Sequence, residues 1–166
     1  MAADSSSVDF FLKVDGIDGE SQDKSHSKEI ELRSASVGVS QMGSAHTGGG
    51  AGSGVSDHGD YEFTKFSDQS LPKLFQACSS GEHIKKAVVT FRKAGKDQQD
   101  YMKVTLSDVL VSSFEFRSPR GGSQLPMDHF NLNYGKIENE YKEQKSDGTL
   151  GGSVKAGWDI KSRKKV

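Results

Sequence analysis

The chain contains 166 residues, with 22 basic and 23 acidic side chains and a formal net charge of -1. Its length is that of a single domain, and its near-neutral charge favours neither a nucleic acid nor a membrane surface as partner. The lone cysteine, Cys78, excludes a disulfide within the chain, so folding does not require an oxidising compartment.

No targeting or membrane segment is evident from the sequence. The first nine residues contain no basic side chain and no apolar run of signal-peptide length. No later stretch approaches the ~18 apolar residues that a membrane helix needs. We therefore expect synthesis in the cytoplasm, no membrane insertion, and any export to follow a route that is independent of a signal peptide.

The N-terminal part predicts strands and turns. Val8 to Val14 alternates in polarity as a strand does, and the Asp-Gly pairs within Asp15 to Gly19 predict a turn. The turn lacks the alternating oxygen ligands of a calcium loop, so no metal is expected there. Glu29 to Val39 predicts one or two strands, with Ser34-Ala35-Ser36 as the weak point between them.

Gly43 to Asp60 is the least ordinary stretch, since its eighteen residues include seven glycines. A phosphate-binding P-loop would end in Gly-Lys-Ser/Thr and open a helix, whereas this stretch ends in Asp-His-Gly-Asp and precedes a predicted strand. It is either a flexible surface loop or a segment that orders against a neighbouring molecule.

Tyr61 to Phe66 predicts a short strand, and a helix follows it. Ser70 can cap the helix, Pro72 lies in its first turn, and Gly81 follows its end. Leu71, Leu74, Phe75 and Cys78 form one apolar stripe, which predicts a buried structural thiol at Cys78. Ser70 and Lys73 match a Ser-x-x-Lys motif, but its partner motifs are absent.

The central signal is a β-hairpin that begins at Ile84. Ala87, Val89 and Phe91 share one face of its first strand. Met102, Val104 and Leu106 share one face of the second strand. Ser107-Asp108 interrupts the pattern before Val109 to Phe116, which predicts a three-stranded meander with one apolar face that another layer must cover.

The C-terminal part continues the β pattern. Met127 to Tyr141 predicts one long strand or two short ones, and Val154 to Ile160 predicts a last strand, which carries Trp158. Lys161 to Val166 is interpreted as a solvated basic tail. The fold class is mainly β: a two-sheet antiparallel β-barrel or sandwich with one short flanking α-helix and a long Gly-rich loop.

The residues that chemistry requires are not grouped in the sequence. None of the five histidines pairs with another at metal-ligand spacing, and a satisfied structural role is the favoured interpretation for His83 and His129. No glycine motif has the strand-before, helix-after context of a cofactor fold. We therefore predict no enzyme, no cofactor and no metal.

Several segments, in order along the chain, resemble one family. They are Phe11-Leu12-Lys13-Val14-Asp15-Gly16-Ile17, Ser40-Gln41-Met42-Gly43, Phe63-Thr64-Lys65, Leu71-Pro72-Lys73-Leu74, Lys93-Ala94-Gly95 and Gly157-Trp158. Together they resemble Hcp, the haemolysin-coregulated protein family of bacterial type VI secretion, from about residue 8 to the C-terminus. The chain departs from the family pattern at Gln98 and Gln99, in a turn that often contains a proline, and at Asp128, where a glutamate is expected.

The resemblance implies a function. Members of the family form hexameric rings that stack into a tube within a contractile sheath, with a spike protein at the tip and effector proteins in the lumen. It also implies a cytoplasmic subunit that leaves the cell when the sheath contracts. The extended loop of the family lies near the ring surface, so the candidate ring and stacking residues are His46, Gly48, Gly49, Gly50, Gly52 and Val55.

Two other classes remain open from the residues alone. A β-sandwich module that binds a ligand or glycan would need an exposed aromatic platform, for which Tyr61, Tyr134 and Trp158 are the candidates. A secreted hydrolase would need a working acid and base pair, for which His83 and His129 are the candidates.

Overall fold

The structure is a computed structural model, and it describes residues 8–41, 43, 54–93, 98–121 and 125–166. These residues form strands and one helix. In chain order the elements are β1 (Val8–Val14), β2 (Ile30–Leu32), β3 (Ser34–Ser36), β4 (Val39–Ser40), β5 (Asp57–His58), β6 (Tyr61–Phe66), α1 (Leu71–Ser80), β7 (His83–Lys93), β8 (Asp100–Arg117), β9 (Met127–Gln144), β10 (Leu150–Asp159) and β11 (Lys164–Lys165).

Nine of these strands belong to one antiparallel sheet, and β4 and β5 form a separate ribbon. The main path of the sheet runs β11-β10-β9-β8-β7-β1-β2. Strand β9 is shared by two partners: β6 pairs with its first part, from Met127 to Leu132, and β10 pairs with its last part, from Lys136 to Gln144. Because β8 pairs along both parts of β9, the sheet divides there into two branches.

The sheet bends around a core without closing completely. Strand β2 pairs with β1, and β3 pairs with β6. Only Arg33 separates β2 from β3, and its backbone N–H donates to Thr64 O at 2.8 Å. The predicted mainly β class with one short helix is confirmed, with an open sheet. The predicted weak point at Ser34–Ser36 is wrong, because these residues pair with β6 and the break lies at Arg33.

The apolar faces of the strands meet inside this bend. Val89 lies opposite Leu12 on one side and Val104 on the other, and all three are buried. The fully buried core side chains also include Ile30, Leu74, Leu106, Val109, Phe130 and Leu132. The period-two pattern of β7 therefore identified the core face correctly, but the opposite face of the strand is also buried at Thr90 and Arg92.

Strand β8 differs from its prediction. Asp108 has a φ of 54°, yet the strand continues through it, with Ser107 opposite Lys136 and Val109 opposite Tyr134. Gly135 leaves room for this conformation, since a Cβ there would lie 3.1 Å from the Asp108 Cβ. The predicted second and third strands of the meander are therefore one strand, β8, with a local distortion at Asp108, and the third strand of the observed meander is β9.

Helix α1 packs against β8 through a face that is rotated from the predicted stripe. Leu74 and Ala77 are fully buried, whereas Phe75 is 59% exposed and contacts Phe114 edge to face. Cys78 is half-buried against the core. Ser70 makes no capping bond with its side chain, because its hydroxyl donates to Asp68 Oδ1, which also accepts from the Ser70 backbone N–H at 2.9 Å. Gly81 ends the helix with a φ of 66°, as predicted.

The basic tail is exposed, but its end is ordered against β10. Lys164 and Lys165 pair with Asp159 and Trp158, and the Val166 N–H donates to Gly157 O at 3.2 Å. The interpretation as a solvated terminus is therefore confirmed by the exposure of residues 161–166, and the backbone pairing with β10 is an additional feature.

Candidate assembly surfaces

The Gly-rich segment begins and ends at the β4–β5 ribbon. In this ribbon Val39 pairs with His58 and Ser40 pairs with Asp57. The Gly59 N–H donates to Gly38 O at 3.0 Å, which closes the base of the ribbon. The ribbon therefore fixes the two points at which the Gly-rich segment joins the rest of the chain.

Three side-chain hydrogen bonds attach the ribbon base to the sheet. Asp60 accepts from Ser112 Oγ at 2.6 Å and from Asn133 Nδ2 at 2.8 Å. The Tyr134 hydroxyl donates to Gly59 O at 2.9 Å. Burial raises the pKa of Tyr134, and the Asp60 carboxylate raises it further, so the hydroxyl stays protonated as a donor. The base of the ribbon is held by β8 and β9.

The ribbon presents apolar side chains to solvent. Val39 is 64% exposed and Val55 is 61% exposed. Of the predicted ring and stacking residues, the structure places Val55 at this exposed position. The other five, His46, Gly48, Gly49, Gly50 and Gly52, lie outside the described residues. Val39 lies on β4 and Val55 lies two residues before β5, and these exposed side chains are candidates for a contact with another molecule.

A second surface is strand β10 at the edge of the sheet. Residues 152–156 are exposed on both faces of the strand, and Val154 is 71% exposed. Opposite Val154 on β9, Tyr141 is 46% exposed. An exposed strand with a free edge offers backbone donors and acceptors to another chain. The alternation of β10 predicted the strand but gave no sign that both of its faces would be exposed.

Two of the described histidines, His26 and His83, lie beside carboxylates. His26 is buried, its two ring nitrogens lie 2.8 Å from Glu29 and 3.1 Å from Asp100, and its ring stacks on Phe11. His83 lies 3.2 Å from Asp108, and both side chains are exposed.

Residues 8–41, 43, 54–93, 98–121 and 125–166 contain no cluster of three or more metal-ligating side chains. His58 lies 3.2 Å from Ser56 Oγ, and none of the described hydrogen bonds or ion pairs gives His58 a carboxylate to orient it as a catalytic base. Within the same ranges, no helix has both the length and the apolar character needed to span a bilayer.

The three candidate aromatic residues do not form an exposed platform. Tyr61 is 3% exposed and Tyr134 is 4% exposed, and Trp158 packs against the core. Burial, with a smaller contribution from Tyr134, raises the pKa of Tyr61 to about 12. These side chains therefore stabilise the fold and do not present a glycan-binding surface.

Comparison with known proteins places the chain in a family. The model of the family described as type VI secretion system effector, Hcp, matches residues 11–141. Protein hcp1 of Pseudomonas aeruginosa is 44% identical over 156 residues, covering 93% of this chain and 96% of that protein.

Solved structures agree. Hcp1 from Salmonella typhimurium is 31% identical with a TM-score of 0.79, covering 96% of this chain and 99% of that one. A structure described as a type six secretion system protein is 27% identical with a TM-score of 0.90, covering 95% and 99%. The fold is that of a type VI secretion tube protein. The chain belongs to the Hcp family, whose members are secreted structural components of that system.

Proposed function

We propose that this chain is the inner-tube subunit of a type VI secretion system, which forms hexameric rings that stack into a tube. The observation that carries the proposal is the pair of exposed surfaces on a fold of the Hcp family: the anchored β4–β5 ribbon with Val39 and Val55, and the exposed strand β10. A subunit of stacked rings needs surfaces that contact its neighbours in the ring and surfaces that contact the next ring.

In this proposal the ribbon and its Gly-rich segment contact the adjacent ring. Val55 and His46 provide side-chain contacts, and Gly48, Gly49, Gly50 and Gly52 allow the segment to follow the neighbouring surface. Residues 1–166 act as a single domain. The tube assembles in the bacterial cytoplasm inside a contractile sheath, carries a spike protein at its tip, and transports effector proteins in its lumen when the sheath contracts.

The native mass in solution tests this proposal. Light scattering on a sizing column, with negative-stain images of the peak, is expected to give six-fold rings of six times the chain mass of 18.0 kDa. A monomer that persists at high protein concentration would contradict the ring, and with it the proposed function.

A further inference from the structure

Charge is separated along this chain although its net charge is close to zero. Residues 8–31 contain seven acidic and three basic side chains, a net charge of -4. Residues 142–166 contain seven basic and three acidic side chains, a net charge of +4. The first segment includes β1 and β2, and the second includes β10 and β11, which lie at opposite ends of the strand order. Two ends of the sheet therefore carry equal and opposite charge.

The acidic end contains an open cleft of about 700 Å³. Five carboxylates and two guanidinium groups line it: Asp9, Glu20, Asp23, Glu31 and Asp68, with Arg33 and Arg92. Phe10 and Leu32 add apolar surface. Asp9 and Asp23 pair with Arg92, whereas Glu20 and Glu31 are exposed. The cleft therefore combines an apolar lining with an excess of negative charge.

Arg92 leaves a donor unused in this cleft. Its side chain is 5% exposed, and Nη2 lies 2.8 Å from Asp23 Oδ2 and 3.3 Å from Asp9 Oδ2. The guanidinium also lies over the Phe11 ring, 4.9 Å from its centre. The buried Nε has no hydrogen-bond partner among the residues that the structure describes. A buried N–H without an acceptor is unfavourable, so Arg92 is an incompletely satisfied donor in the wall of the cleft.

The basic end of the same chain has the complementary features. Residues 152–156 of β10 are exposed on both faces at the sheet edge, where β11 pairs only with Trp158 and Asp159. This edge offers carbonyl oxygens, an apolar side chain at Val154 and the exposed Lys155, whose Nζ lies 3.8 Å from Glu140 Oε1. Lys164 and Lys165 lie beside it on β11.

We infer that β10 and the basic tail of one copy dock into the acidic cleft of the next copy. The contact brings Lys155 and the tail lysines toward Glu20 and Glu31. This inference rests on the proposed function, because it identifies the contact between neighbours in the ring. The two surfaces differ, so the contact is heterologous, and such a contact repeats from copy to copy until the ring closes.

Charge reversal tests the pairing. The cleft variant carries Glu20→Lys and Glu31→Lys, the tail variant carries Lys155→Glu and Lys164→Glu, and a third protein carries all four changes. Lys85→Glu reverses an exposed lysine on β7, away from both surfaces, as the control. Light scattering over a concentration series gives, for each protein, the concentration of half-assembly, at which half of the copies are assembled. We expect each double variant to raise the concentration of half-assembly at least ~10-fold. The protein with all four changes is expected to recover most of that loss of assembly.

The outcomes separate this inference from the proposed function. A wild-type protein that stays monomeric overturns both. If the wild type forms rings and the double variants assemble normally, the inference is overturned and the tube function stands. The same conclusion follows if the protein with all four changes shows no recovery. The same holds if Lys85→Glu weakens assembly as much as the double variants do.

Hydrogen exchange on the wild-type protein gives a check that needs no variant. Peptides covering residues 150–157 and 20–31 are expected to exchange more slowly in the assembled protein than in the dilute monomer. Slowing in only one of the two peptides, or in neither, overturns the inference.

Discussion

Lys65 Nζ lies 2.6 Å from Asp128 Oδ2, and neither side chain is exposed to solvent. Lys65 also donates to Asp68 Oδ1 at 2.8 Å, and Ser67 Oγ donates to Asp128 Oδ1 at 2.7 Å. Asp68 in turn accepts from the backbone N–H of Ser70 at the start of α1. One buried network therefore connects β6, β9 and the beginning of the helix.

Asp128→Ala is expected to destabilise the fold by about 3–5 kcal/mol, because it removes the fully buried partner of a fully buried ammonium group. Urea unfolding followed by circular dichroism measures the change. The double variant Lys65→Met/Asp128→Leu removes both charges and is expected to be more stable than Asp128→Ala alone. The exposed Glu115–Arg117 pair provides the comparison, and Glu115→Gln is expected to leave the urea midpoint nearly unchanged. Equal effects of Asp128→Ala and Glu115→Gln would contradict this account.

Two neighbouring positions on α1 distinguish packing from surface contact. Leu74 is fully buried and Phe75 is 59% exposed. Leu74→Ala is expected to cost about 2–5 kcal/mol, since it opens a cavity between the helix and β8. Phe75→Ala loses only an edge contact with Phe114 and is expected to cost about 1 kcal/mol or less. Thermal unfolding of both variants measures these losses of stability. A larger loss of stability for Phe75→Ala would show that the helix packs by another face.

Asp23 gives the stability a defined dependence on acid pH. A hydrogen bond from Arg92 is the main cause that lowers the pKa of Asp23 from 3.8 to about 2. Because the pKa is lower in the folded protein than in the unfolded chain, this contribution is fully present above about pH 4 and is lost as the pH falls to about 2. Asp23→Asn is therefore expected to be less stable than the wild type at pH 6, with the difference shrinking between about pH 4 and pH 2.

Urea unfolding of both proteins across this pH range makes the measurement. The Arg92→Met background is the control, because without the guanidinium group Asp23→Asn should change the pH profile much less. A difference that stays constant down to about pH 2 would contradict the role assigned to this ion pair.

The Gly-rich segment is expected to act in assembly and not in folding. Deletion of Gly48 to Gly54 should leave the thermal midpoint nearly unchanged, since Asp60 and Tyr134 fix the ribbon base from outside the deleted stretch. Tube formation, viewed by negative-stain microscopy, should be lost. The matched change is Val55→Asp, which alters the exposed contact without shortening the chain. Normal tubes from the deletion variant would remove the segment from the stacking surface.

Alternation of polarity was sufficient to predict the strands and their buried faces. It also placed Lys65 on the same face as Tyr61 and Phe63, and the structure buries all three. The pattern could not reveal that Lys65 is neutralised there, because Asp68 and Asp128 reach it through tertiary contacts from 3 and 63 residues away in sequence. Asp128 departs from the glutamate that the family pattern leads us to expect, but nothing local in the sequence indicates that this carboxylate is buried.

The remaining errors have the same origin. Asp108 was predicted to interrupt a strand, and only its opposite neighbour Gly135 makes a positive φ tolerable there. Phe75 fits the helical stripe, but β8 contacts a face centred on Leu74 and Ala77. Similarly, the cleft at Arg92 collects residues from β1, β2, β6 and β7 that are far apart in sequence. Local patterns specify the elements, whereas these features depend on which elements become neighbours.

Strand β9 has a mechanical consequence. It pairs with β8 on one side along nearly all its length, and on the other side with β6 and then β10. A force applied along β10 loads many backbone hydrogen bonds between β10 and β9 in shear. These bonds therefore share the load instead of breaking one after another. The same strand passes that load to β6 and the buried Lys65–Asp128 pair. A subunit built this way resists stretching at its exposed edge because β9 couples that edge to the core.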